Sequence, residues 1–139
     1  MTARPRVYLC HPMTTYRSEH AAAMLARITE LLPAAEILDP EALAWESDRD
    51  WLAAWPDVLE SLEGIVVFSA RDGSVGVGCV TEATDALARS VPAAVLSRSG
   101  LRALEGFRLL SKSERSARRF ARLIPGSHVE ASEFPGGRP

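Results

Sequence analysis

Apolar positions along this chain change period several times. Val7, Tyr8, Leu9 and Cys10 form a short unbroken run, stopped at His11-Pro12 because proline lacks a backbone N–H and restricts its predecessor. Ala21, Met24, Leu25, Ile28, Leu31 and Leu32 then recur at helical spacing, which predicts a helix over residues 18–32, capped by Ser18 and closed by Pro33. A short strand is predicted at 35–38, ended by the turn signal Asp39-Pro40. Residues 41–61 read as mostly helical, with Pro56 either kinking that helix or starting a second one. The clearest buried strand is 64–69, GIVVFS, followed by a glycine-rich loop at 72–78, a helix at 80–89 and a strand at 93–96. Two more helices are predicted at 101–110 and 113–122, then a last short strand at Leu123 and Ile124. Residues 130–139 end in Pro-Gly-Gly-Arg-Pro and read as a flexible tail behind one domain over 1–129.

Strands alternating with helices predict βαβ units. The expected fold is α/β: a flavodoxin/Rossmann-like, doubly wound parallel sheet of four or five strands with helices on both faces. Such folds bind ligands beyond the carboxyl ends of the strands, at the topological switch point. Segments 10–17, 39–41, 69–82 and 96–100 are therefore where chemistry is expected.

Composition narrows the class. The 139 residues suit one domain, and 47% apolar content suffices for one core. A net charge of −2 argues against general nucleic-acid binding, and no apolar run approaches the ~20 residues of a membrane helix. Cys10 and Cys79 are too few for a disulfide framework, so a soluble, cytoplasmic protein is expected. Charge is unevenly spread. Acids dominate residues 36–63, where Arg49 is the sole basic side chain, and arginines dominate 98–122. These are two solvated faces, complementary subunit contacts, or a basic rim for an anionic substrate.

Three segments carry candidate chemistry. In residues 73–82, GSVGVGCVTE, Gly76 and Gly78 are expected to let the backbone turn and approach a ligand. Glu82, expected in the first turn of the next helix, would point back over the loop, where unpaired N–H groups favour its charged form. Helix capping by an acid is the plainer alternative. Tyr8 sets a polar tip in an apolar strand, and the loop after it offers His11, Thr14, Thr15, Tyr16, Arg17 and Ser18 as donors for a hydroxyl or phosphate. Asp57 and Asp50 are the acids placed to reach the crevice, and Trp45, Trp51 and Trp55 either wall a base or belong to the core. Scattered cysteines and histidines give no zinc spacing, and neither a phosphate-loop lysine motif nor a G-x-S-x-G elbow occurs, so no metal or cofactor is expected.

Taken together, these segments resemble the nucleoside 2-deoxyribosyltransferase family and its relatives, the 2′-deoxynucleoside 5′-phosphate N-hydrolases. Val7-Tyr-Leu-Cys-His-Pro12 is similar to the family's I-Y-L-A-G-P opening strand, and Gly78-Cys-Val-Thr-Glu82 keeps its glycine-to-glutamate spacing. Ser74-Val-Gly-Val-Gly78 looks like the S-L-G-V-G of the N-hydrolase branch. The resemblance spans roughly residues 6–97. It implies Glu82 as the nucleophile at the anomeric carbon, Asp57 as the acid that helps protonate the departing base, and Tyr8 as the group that orients Glu82. It implies Ser74 as a 5′-phosphate ligand, and Cys10, His11, Pro12, Gly76, Gly78 and Cys79 as the substrate-binding wall. Gly76, Cys79 and Thr84 stand where the family has aspartate, threonine and glycine. The implied activity is N-glycosidic cleavage of a nucleoside or nucleoside 5′-monophosphate by a homo-oligomer, with hydrolysis or base transfer as the outcome. The alternatives are a lysine-decarboxylase-like nucleotide phosphoribohydrolase, which shares the glycine–glutamate spacing, a nucleotide-sensing or scaffold domain without turnover, and a partner-binding protein that uses the arginine-rich segment.

Overall fold

The computed structural model describes residues 4–43 and 48–138. Strand β1 (Arg6–Cys10) leads through a 3-10 turn (Met13–Thr15) into helix α1 (Glu19–Leu31). Strand β2 (Glu36–Leu38), helices α2 (Pro40–Leu43) and α3 (Asp48–Ser61), and strand β3 (Gly64–Val67) follow. Next come strand β4 (Ser74–Val75), helix α4 (Val77–Ala88), and strands β5 (Ala93–Ser97), β6 (Gly100–Leu109) and β7 (Ala121–Val129). Ser18 caps α1 as its sequence predicts, its hydroxyl accepting the Ala21 N–H at 3.0 Å. Pro56 lies inside α3 without dividing it.

The chain folds as a Rossmann-like α/β structure around one sheet in the order β2-β1-β3-β5-β6-β7-β4. The first four strands in that order run parallel, and the rest join antiparallel. Side-chain alternation divides the core. Val7, Leu9, Val66 and Phe68 pack with Met24 and Ile28 of α1, while Tyr8, Cys10, Ile65 and Val67 pack with Trp55 of α3 and Ala83 of α4. Because β2 and β3 lie on opposite sides of β1, the switch point falls between β1 and β3. Tyr8 and Cys10 therefore point to the face on which α4 packs, beside that crevice.

Two expectations are corrected. The sheet has seven strands rather than four or five, because the segment read as a helix at 101–110 is strand β6, the glycine-rich loop contributes the short strand β4, and the last strand, expected at Leu123 and Ile124, is the longer β7, which begins at the end of the segment read as a helix at 113–122. Gly100 (φ +115°) and Gly106 (φ +155°) hold conformations outside the helical region, and the unpaired edge of β5 supplies ladder partners from Ala94 to Ser97. The register of β6 against β7 shifts on either side of Leu104, so the strand is irregular where alternation would have announced it. The segment after residue 129 is not a loose tail. Phe134 is buried among Val7, Ile28 and Leu32, and the Gly136 carbonyl accepts the Ala34 N–H at 2.9 Å. The first residue of β3 is glycine for the same reason: a Cβ on Gly64 would lie 3.0 Å from the Phe134 ring.

Candidate active site

Helix α4 begins at Val77, earlier than the sequence pattern predicts, so Glu82 lies in its second turn and caps nothing. Cys79, Glu82, Ala83 and Ala86 share the buried face, at i, i+3, i+4 and i+7. That spacing drives a carboxylate into the core at 5% exposure, a position few glutamates occupy unless they are paired. Three donors among the described residues meet it. The Tyr8 hydroxyl and Trp51 Nε1–H, the latter at 2.9 Å, both donate to Oε2, and Cys10 Sγ donates to Oε1 at 3.4 Å. A carboxylate offers about four lone-pair directions, so the described residues leave one uncommitted.

Burial is the largest influence on Glu82 and raises its pKa above the usual carboxylate range; the hydrogen bonds and nearby His11 offset only part of that rise. Burial and then the Glu82 charge push the Tyr8 phenol far up, which keeps it a donor. Burial also raises the Cys10 thiol, so Cys10 remains an uncharged S–H rather than a thiolate. The aromatic wall is continuous. The Tyr8 and Trp55 rings lie 5.1 Å apart, and Trp51 stacks on Trp55 at 6.2 Å and 21°. Trp55 donates to Asp85 at 2.9 Å, which ties α3 to α4 one turn beyond Glu82.

The loop after β1 is wired to the end of β2. His11 is buried and stacked on Phe68 with ring centres 4.5 Å apart. Its Nδ1 pairs with the Thr15 hydroxyl at 2.7 Å and its Nε2 with Asp39 Oδ1 at 2.8 Å. Burial alone would raise Asp39, but hydrogen bonds from His11 and the Glu41 amide outweigh it and hold the carboxyl below its usual range. His11, Asp39 and Glu41 bring potential metal-ligating atoms within 4.8 Å of one another; the His11–Asp39 bond and the Glu41 amide bond to Asp39 at 3.0 Å already tie that group together. With both ring nitrogens engaged, His11 acts as a strut. Tyr16 lies against the His11 ring at 4.9 Å and is half-buried, and its phenol is raised first by burial and next by the Glu82 charge.

Of the residues singled out in the sequence, Glu82, Tyr8, Cys10 and Cys79 converge on one point. The Cys10 thiol also reaches the Cys79 carbonyl, at 3.7 Å. Pro12 is buried, and its carbonyl accepts the Thr15 N–H at 2.9 Å. Ser74 is buried in β4, with its hydroxyl donating to Asp72 at 2.5 Å. The glycine expectations need correction. Positive φ belongs to Gly73 (+86°), so Gly73 makes the turn. Gly76 precedes α4 in extended backbone, where a Cβ would lie 3.2 Å from the Arg118 carbonyl, and Gly78 has open space around its Cα. Asp57 is exposed on α3, two residues beyond buried Trp55 and so about 200° around the helix from it. It does not join the Glu82 cluster. Asp50 is exposed as well, and Trp45 lies outside the described residues. The sequence reading missed two links. One is Trp51 as a direct donor to Glu82, signalled by its i, i+4 pairing with Trp55; the other is Asp39 as the partner of His11, signalled by its place just after a strand. No helix among the described residues is long and apolar enough to cross a membrane. The sequence matches no family model and no curated protein, so the functional reading rests on the site itself.

Proposed function

We propose that this protein cleaves the N-glycosidic bond of a nucleoside or nucleoside 5′-monophosphate, with Glu82 as the nucleophile. One observation carries the reading: a buried glutamate on the helix after the central strand has one oxygen fixed by Tyr8 and Trp51. A carboxylate serving only structure would be better placed in water; a carboxylate kept dry, aimed and partly unpaired suits attack on an electron-poor carbon. The resemblance noted in the sequence gives Tyr8 and Glu82 this same partnership.

In the proposed reaction a Glu82 oxygen bonds to the anomeric carbon as the carbon–nitrogen bond breaks. The bond pair leaves on the base nitrogen, which takes up a proton from solvent. The glycosyl ester is then opened at the anomeric carbon by water, or by a second base, and the Glu82 carboxylate is regenerated. Tyr8 and Trp51 hold the carboxylate in one rotamer through both steps, and their bonds strengthen whenever it carries full charge. Asp57, exposed on the far side of α3, has no part in the scheme. We further propose a cytoplasmic homo-oligomer, checked by light scattering.

Chromatography of a nucleoside and nucleotide panel incubated with pure protein tests the activity. Free base released by the wild type and lost in Glu82→Ala supports it. A panel left intact, with nucleotide bound tightly, replaces the enzyme with a sensor.

A further inference from the structure

Asp57 is turned away from Glu82, so it does not meet the departing base. Tyr16 is set to take that place. It follows the 3-10 turn after β1, where its N–H bonds the Met13 carbonyl at 3.1 Å. Its ring lies against His11, which is itself fixed by Thr15, Asp39 and the Phe68 ring. The next residue, Arg17, holds φ +59°, a left-handed conformation that a side chain of this size keeps only where its surroundings impose it. Here the Arg17 N–H bonds the Glu41 carboxylate at 2.5 Å, so α2 clamps the turn from the other side. The ring is thus rooted on both flanks, while its hydroxyl stays free: no hydrogen bond among the described residues engages it.

The free hydroxyl belongs to the same site as Glu82. After burial, the influences on the phenol are the Glu82 charge and then Cys79, Asp39 and Cys10, and all of them push it up. The Tyr8 phenol feels Tyr16 in turn. Tyr16 and Glu82 are therefore near enough to act on each other, yet no hydrogen bond joins them, so a gap separates hydroxyl from carboxylate. A substrate in that gap meets the uncommitted lone pair of Glu82 on one side and the uncommitted proton of Tyr16 on the other. In displacement at an anomeric carbon, nucleophile and leaving group stand on opposite sides of that carbon. A donor that faces Glu82 across the gap is on the side of the base.

We infer that the Tyr16 hydroxyl donates a hydrogen bond to the nucleobase of a substrate held on Glu82, and steadies the negative charge that gathers there as the carbon–nitrogen bond breaks. This role rests on the glycosidic reading above. Because the phenol stays protonated, Tyr16 lends a hydrogen bond without losing its proton, and the proton that ends on the base comes from solvent.

Tyr16→Phe keeps the ring on His11 and removes only the hydroxyl. Guanosine and N7-methylguanosine read its effect, in their 2′-deoxy or 5′-phosphorylated forms if the wild type requires them. Guanine departs carrying negative charge; N7-methylguanine departs neutral, because methylation has already made the ring cationic. Tyr16→Phe should lower kcat for guanine release on the order of 10–100-fold with KM little changed, and for N7-methylguanine release by no more than about threefold. Asp57→Ala should slow neither. A thermal unfolding transition like that of the wild type shows that Tyr16→Phe folds. An equal loss for the two leaving groups, or no loss for guanine, overturns the role of Tyr16 and leaves Glu82 as the nucleophile. A loss confined to guanine in Asp57→Ala, with Tyr16→Phe unaffected, overturns it in favour of Asp57. A wild type that releases neither base removes the glycosidic reading, and the role of Tyr16 falls with it.

Discussion

Replacing Glu82 with glutamine should make the fold more stable at neutral pH while removing its proposed chemistry. The carboxylate is 5% exposed, and burial is the largest influence on its ionisation. Glutamine keeps an acceptor where Oε2 stands, so Tyr8 and Trp51 retain their bonds, and its amide group meets the Cys10 sulfur, a weak acceptor. Hydrogen bonds to a charged acceptor contribute about 1.5–3 kcal/mol and to a neutral one about 0.5–1.5, so the replacement weakens both bonds while relieving desolvation. Since the folded pKa is raised in spite of those bonds, desolvation wins. The sign follows. A carboxyl with a folded pKa above its unfolded value contributes stability that is fully present below the unfolded pKa and lost as pH rises through the folded one. Each unit of elevation is worth about 1.4 kcal/mol at high pH. Urea unfolding of wild type and Glu82→Gln between acid and neutral pH should show the variant gaining on the wild type as pH rises, then a plateau. A wild type that gains on the variant over that range would mean that the donors outweigh burial, and the reasoning would fail.

Other expectations follow from the same contacts. Tyr8→Phe removes one donor, so base release should fall on the order of 10–100-fold and its acid limb should move to higher pH, read from kcat/KM profiles. Asp57→Ala should leave kcat/KM within about twofold of wild type, as expected for an exposed helix position, in the same base-release assay. Phe134→Ala should cost about 3–5 kcal/mol in urea unfolding, because the ring fills the space beside Gly64 and Ile28.

The α/β class, and the strand ends around which the candidate site gathers, are legible in the sequence because the parallel half of the sheet keeps its periods clean. Val7 to Cys10 and Gly64 to Val67 are short runs with no competing pattern, and Ser18 caps α1 where a serine is expected. The pairing of Tyr8 with Glu82 is reachable only through the family resemblance, since the two are 74 positions apart and nothing local links them. Strand β6 escapes the same reading, and β7 is anticipated only at Leu123 and Ile124. Leucines at 101, 104 and 110 mimic a helical stripe, and only the conformations of Gly100 and Gly106 exclude it. Asp57 illustrates the opposite failure. Its place ahead of the central strand matches the family, but the phase of α3 is set by Trp51, Trp55, Leu59 and Leu62, and that phase turns Asp57 outward. Phe134 lies in a stretch whose prolines and glycines resemble a linker, and burial of a single ring is a tertiary fact that composition does not carry.

Intact-mass spectrometry of protein quenched in acid during turnover, followed by peptide mapping, reads the nucleophile directly. A pentosyl or pentosyl-phosphate adduct on the peptide that contains Glu82, absent from Glu82→Gln, is the predicted result. Steady base release with no adduct at any time, or an adduct on a different side chain, would show that Glu82 does not form the bond to sugar.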